Sequence, residues 1–184
     1  MIILPADFVD RPYKVPNQEE ARDFSSLLDG WEEGIAMGTL PDDAVRLLGV
    51  DLWDEFSDAL NTSGVIADKW IRLRDGATYT YGGKTSTYLG WVDMIRPALY
   101  ALWIPTTTYK LTNIGFVENS APDKSSLMDD QYQFVVKYWN EFVSRVCFGY
   151  NCRRNSFYGF MEANKADYPE WDFKAPELKN RYGF

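Results

Sequence analysis

The stretch WVDMIRPALYALWI, Trp91 to Ile104, constrains the fold more than any other part of the chain. Trp91, Met94, Ile95, Ala98, Leu99, Leu102 and Trp103 recur at spacings of three and four, and apolar residues occupy nearly every side. A helix that is apolar all round must be enclosed by other elements. The stretch therefore predicts a central, buried helix. Pro97 lies inside it and predicts a kink there, or the true helix start. Pro105 and the run TTTYK predict its end.

Just before this helix the periodicity changes. Ala77, Tyr79 and Tyr81 alternate with Thr78 and Thr80, and Thr85, Thr87 and Leu89 continue the alternation. Gly82-Gly83 between the two runs predicts a hairpin over 77–89 closed by a primed turn. A lone hairpin is marginal in water, so it must lean on helices or on a neighbouring subunit.

The remaining segments read mainly as helix. Gln18 to about Leu28 carries an apolar face, but Gly30, Gly34 and Gly38 give the next stretch, WEEGIAMGTL, poor helix propensity. Thr39 as cap, Pro41 in the first turn and Asp42-Asp43 predict a helix that runs on to Leu60, with Gly49 breaking it in two. Ala67 to Arg74 follows, with Trp70, Ile71 and Leu73 facing the core. Residues 105–126 form a long connection with a short extended piece, Ile114 to Val117. The last strong helix covers Ser126 to about Phe148.

The ends differ from the middle. Pro5, Pro12 and Pro16 make 1–17 an arm, either a strap across its own domain or one bound to a neighbour. Residues 151–184 scatter Phe157, Tyr158, Trp171, Phe173 and other aromatics among polar residues and prolines, too irregularly for a helix. That extension is expected to lie along a surface, its own or a partner's. The fold class is thus mainly α: a helical domain over 18–150 with one inserted hairpin, a long loop, and extended terminal arms.

Composition narrows the chemistry. A net charge of -8 disfavours a broad DNA-binding face, which needs clustered Lys and Arg. The chain has no histidine, which removes the usual general base and commonest metal ligand. Its 27 acids allow pairs of the glycosidase kind, from Asp51, Asp54, Glu55, Glu118, Asp129 and Glu141, but chance alone supplies such pairs. No catalytic, cofactor-binding or metal-binding residue stands out, and no enzyme activity is expected. Cys147 and Cys152 match no zinc spacing and are expected to be reduced. No apolar run is long enough for a membrane span. Seven Trp, twelve Tyr and eleven Phe point to an aromatic core or to interfaces.

The order of the pieces resembles the head-to-tail connector (adaptor, ring or neck) proteins of tailed phages, especially crAss-like and other Bacteroidetes phages. The resemblance covers about Asp43 to Val143. Its parts are the Leu48-Gly49 turn before the helix Leu52 to Leu60, and the step Leu73, Gly76, Tyr79. Gly90-Trp91 then opens the buried helix, and Thr112, Gly115, Phe116 and Val117 lead to the last one. The resemblance implies a structural virion protein at the head–tail junction, made in the host cytoplasm. It implies a homo-oligomeric ring, dodecameric by analogy, beneath the portal protein and next to other neck or tail proteins. DNA would pass through its channel without sequence-specific binding, and neither cofactor nor membrane is implied. On that reading Tyr79, Tyr81, Tyr88, Trp91, Ile114, Phe116, Phe157, Tyr158, Trp171 and Phe173 are the expected interface residues. The alternatives are a small carboxylate-dependent glycan hydrolase, or a carbohydrate-binding module stacking sugars on Tyr79, Tyr81, Tyr88 and Trp91.

Overall fold

The computed structural model describes residues 2–10, 12–15, 24–40, 45–106, 109–112, 115–118, 124–147 and 156–179, with side chains described for all of these except 105–131. Its helices are α1 (Phe24–Met37), α2 (Val50–Asn61), α3 (Asp68–Asp75), α4 (Trp91–Thr106), α5 (Lys124–Val146) and α6 (Phe157–Ala163). Its strands are β1 (Ala77–Tyr81), β2 (Lys84–Tyr88), β3 (Tyr109–Thr112) and β4 (Gly115–Glu118). They form two separate antiparallel ribbons, β1–β2 and β3–β4. The fold is mainly helical, with a hairpin inserted and extended segments at both ends.

The central helix lies where its sequence requires. In α4, Trp91, Met94, Ile95, Ala98, Leu99, Ala101 and Ile104 are buried. It runs antiparallel to α5: Asp93 lies beside Arg145, and the Tyr100 and Tyr138 rings meet edge to face at 4.9 Å. Pro97 neither starts nor ends the helix, which is continuous from Trp91 to Thr106. A proline has no N–H for the carbonyl four residues earlier, here that of Asp93. The Arg145 guanidinium of α5 donates to that carbonyl instead. A neighbouring side chain thus satisfies the acceptor that Pro97 leaves open.

This arrangement makes a testable pair. Arg145 also donates to Glu141 at 2.7 Å and to the Tyr13 hydroxyl at 3.0 Å. Arg145→Ala is expected to destabilise the fold by about 1–3 kcal/mol, since part-buried acceptors lose a charged donor. In a Pro97→Ala background the loss should shrink by roughly 1 kcal/mol, because residue 97 then supplies an N–H to Asp93. Denaturant unfolding of the four variants measures this coupling, and strictly additive losses would contradict it.

Three segments differ from the sequence expectation. First, α1 continues through Gly30 and Gly34 to Met37. At Gly34 a Cβ would lie 2.8 Å from the Leu40 side chain, so the small residue lets the following chain pack against the helix. Second, Val45–Gly49 is not helical. The amides of Leu47, Leu48 and Gly49 donate to the Ile35 and Ala36 carbonyls at the end of α1, at 2.9–3.2 Å. Gly49 has φ 87° and ψ 168°, a backbone only glycine holds easily, and α2 starts directly after it. Residues 41–44, where the expected helix would have begun, lie outside the described residues. Third, Ile71 of α3 is partly exposed, while Trp70 and Leu73 are buried as expected.

The β1–β2 hairpin forms in the predicted register, with Ala77 opposite Tyr88 and Tyr81 opposite Lys84. Gly82 and Gly83 have φ 57° and 74°, the two positive values of a type I′ turn. The long connection contains a second ribbon, with Tyr109 opposite Glu118 and Thr112 opposite Gly115. The C-terminal extension, expected to be too irregular for a helix, contains α6, whose first turn is capped by the Ser156 hydroxyl accepting from the Gly159 amide at 3.2 Å. Cys147 is disulfide-bonded, not reduced. The chain's one other cysteine, Cys152, lies outside the described residues.

A single apolar cluster extends from Ile3 to Tyr168 and takes in buried residues of both terminal segments. Ile3, Phe8, Tyr13 and Val15 are buried, as are Phe157, Phe160, Met161 and Tyr168. Within the described residues the N-terminal segment is therefore a strap across its own domain.

Candidate interaction surface

The N-terminal strap is fastened at two points. At the first, the Glu32 carboxylate of α1 is fully buried. It accepts the Ile2 amide at 2.9 Å, the Ile3 amide at 3.3 Å and the Trp91 indole N–H at 2.8 Å. Burial pushes its pKa up, and the hydrogen bonds from Ile2, Trp91 and Ile3 oppose that shift. Glu32 lies on the helical stripe Phe24, Leu28, Ile35. Sequence reasoning passed over it, although an acid on an otherwise apolar stripe is the signal that marks it.

At the second point the Tyr13 hydroxyl donates to Glu141 at 2.6 Å and accepts from Arg145 at 3.0 Å. Arg96 of α4 lies 5.0 Å from the Tyr13 ring centre and donates to the Asp7 carbonyl at 3.3 Å. Burial and the Glu141 carboxylate raise the Tyr13 pKa. Glu141, one of the acids considered for catalysis, is thus committed to this network. Asp51, Asp54 and Glu55 are exposed on α2.

The predicted interface residues divide into three groups. Tyr79, Tyr88, Trp91 and Phe157 are buried inside the chain. The Tyr79 hydroxyl donates to the Ser156 carbonyl at 3.1 Å, and the Tyr88 hydroxyl to that of Leu73 at 3.1 Å. Tyr88 stacks on Phe160 with ring centres 4.7 Å apart. Trp91 meets Phe157 edge to face. For these four the expectation is corrected: their rings form the core, and the hairpin leans on α6 of its own chain. The same burial leaves Tyr79, Tyr88 and Trp91 no open face for a sugar ring.

The second group, Tyr81, Tyr158, Trp171 and Phe173, is half-buried. Tyr158, Trp171 and Phe173 form one cluster with centres 5.3–5.6 Å apart. The Trp171 indole N–H points inward and donates to the Leu47 carbonyl at 2.8 Å. In the third group, Phe116 is on β4 opposite Leu111, and Ile114 lies outside the described residues.

The two ribbons are supported differently. β1–β2 packs on α6, whereas among the described residues β3 and β4 pack extensively only on each other. In chain order β3–β4 connects α4 to α5.

A pocket of about 180 Å³ beside the strap is lined by Ile2, Ser57, Leu60, Asn61 and Arg74. That is below the usual size of a small-molecule site. Among the described residues no group of three His, Cys, Asp or Glu could hold a metal ion, and no helix is long and apolar enough to cross a membrane. Comparison with known protein families, with curated proteins and with solved structures finds no match.

Proposed function

We propose that the chain is a non-catalytic structural subunit of a phage neck, forming a ring beneath the portal that extends the DNA channel and carries the tail. The observation that carries this reading is the β3–β4 ribbon, which joins the two longest helices and, among the described residues, pairs mainly with itself. A two-stranded ribbon is marginal alone in water, so a neighbouring subunit or the portal is its natural support. The order of sequence elements that resembles connector proteins spans this same region. A closed ring repeats one heterologous contact around an axis, and a two-stranded ribbon suits such a contact. The acidic balance of the chain suits a channel through which DNA slides without adhering.

The test is the mass of the purified protein over a concentration series, alone and with portal-bearing capsids, by mass photometry. The expected result is a ring-sized species or saturable binding at the portal vertex. A strict monomer that ignores the capsids would overturn the reading.

A further inference from the structure

Tyr13 is the buried end of a row of oxidisable rings. Trp103 and Tyr100 of α4 are half-buried and stack with ring centres 5.7 Å apart. Tyr100 meets Tyr13 edge to face at 5.9 Å and Tyr138 at 4.9 Å. Tyr13 and Tyr138 lie 5.6 Å apart, and both are buried. Indole and phenol rings in contact pass an electron readily from one to the next. Trp103 and Tyr100 form the outer end of this row, and Tyr13 the inner end.

The rings differ in where a proton can go. A phenol that has lost an electron is a strong acid, so its oxidation near neutral pH needs a base already hydrogen-bonded to the O–H. The Tyr13 hydroxyl donates to the Glu141 carboxylate at 2.6 Å, the distance of a charge-assisted bond. The Tyr138 hydroxyl donates to the Pro12 carbonyl at 3.4 Å. Farther away, the Tyr79, Tyr88 and Tyr168 hydroxyls donate to the carbonyls of Ser156, Leu73 and Lys69. A peptide carbonyl is a much weaker base than a carboxylate. Arg145 donates to the Tyr13 oxygen at 3.0 Å and to Glu141 at 2.7 Å. It can keep that oxygen hydrogen-bonded after the proton has moved, and its charge favours the proton's return.

We propose that Tyr13 and Glu141 form a proton-coupled redox site, which takes an oxidising equivalent from Trp103 across the Tyr100 ring and holds it as a buried tyrosyl radical. A one-electron oxidant of the peroxyl-radical class takes an electron from Trp103 and is itself reduced to the peroxide anion. Tyr13 refills the Trp103 ring with one electron. At the same time its hydroxyl proton passes to Glu141, which leaves a neutral phenoxyl radical and a neutral carboxylic acid. A one-electron reductant of the ascorbate class returns the electron, and Glu141 returns the proton. Burial keeps the radical from other molecules in the meantime.

The test uses the full chain with photogenerated tris(bipyridine)ruthenium(III) as the one-electron oxidant, followed by freezing and electron paramagnetic resonance. The expected result is a tyrosyl signal that outlasts those of exposed tyrosines. Tyr13→Phe keeps the ring and should remove the long-lived signal, whereas Tyr138→Phe should leave it. Glu141→Gln keeps an acceptor but removes the base, and should slow formation of the radical about a hundredfold. Trp103→Phe should slow it as well, since the outer ring is then hard to oxidise. A long-lived signal that survives Tyr13→Phe would overturn the proposal, as would one that forms at an unchanged rate in Glu141→Gln or Trp103→Phe. One readout needs no variant to fold: high-field spectra of the wild type should show the lowered g value of a phenoxyl oxygen hydrogen-bonded to a cation, here Arg145. The g value of a bare phenoxyl oxygen, or no tyrosyl signal, would also overturn the proposal. The site does not rest on the connector reading, and either can fail alone.

Discussion

Gly76→Ala is expected to be among the most damaging single substitutions in the chain, lowering stability by about 3 kcal/mol or more. Gly76 ends α3 with φ 91° and ψ 163°, a region that residues with a Cβ rarely enter. Space is closed as well as conformation. An added Cβ would lie 2.4 Å from the Tyr88 carbonyl oxygen and 2.8 Å from the Gly90 nitrogen. Gly90, with φ 99°, faces the same obstacle in reverse: its Cβ would meet the Arg74 carbonyl oxygen at 2.7 Å. The chain enters and leaves the hairpin through these two glycines, and the two backbones cross in contact. The obstacles are backbone atoms, so no rotamer change relieves them. Thermal or denaturant unfolding of Gly76→Ala and Gly90→Ala measures the effect. Gly64→Ala is the control, since its Cβ would meet nothing within 4 Å and its loss should be small. Equal losses at all three positions would contradict the argument.

Glu32→Ala should be of similar size, about 3–5 kcal/mol, because it strands two buried donors, the Ile3 amide and the Trp91 indole, and the part-buried Ile2 amide. The loss should appear first at the strap, as faster hydrogen exchange of the Ile2 and Ile3 amides. The carboxylate also gives stability a pH dependence of definite sign. Burial raises its pKa above the ordinary 4.5, so the folded state keeps the proton to higher pH than the unfolded chain does. Its contribution is therefore most favourable below the unfolded pKa and is lost as pH rises from about 4.5 towards the raised value. Glu32→Gln cannot ionise, so the difference in stability between wild type and this variant should fall over that window. A difference that stays flat, or rises with pH, would contradict the assignment.

The elements legible in the sequence are those whose cause is local. The Gly-Gly turn between alternating strands, the all-round apolar stretch of α4 and the long stripe of α5 each carry their signal within one segment. The misread segments depend on distant partners. Gly34 looks like a helix weakener until Leu40 is seen packed against it. Val45–Gly49 has helical periodicity, yet its amides serve the end of α1 and its Arg46 backbone pairs with Lys174. The candidate interface was legible only in part, for the same reason. Tyr79 and Tyr88 lie on one face of the hairpin, and only the position of α6 decides that this face is covered by the chain itself.

Both Tyr13 and Lys179 close onto α5. Tyr13 reaches Glu141 across 128 residues of sequence, and Lys179 returns to Asn140 across 39. Mainly helical domains tend to fold quickly because their contacts are local. Here the contact at Tyr13 closes a loop of 128 residues, which costs chain entropy before it is rewarded. The protein should fold more slowly than its helix content suggests. During synthesis Tyr13 waits for Glu141, 128 residues further on, before it finds its partner.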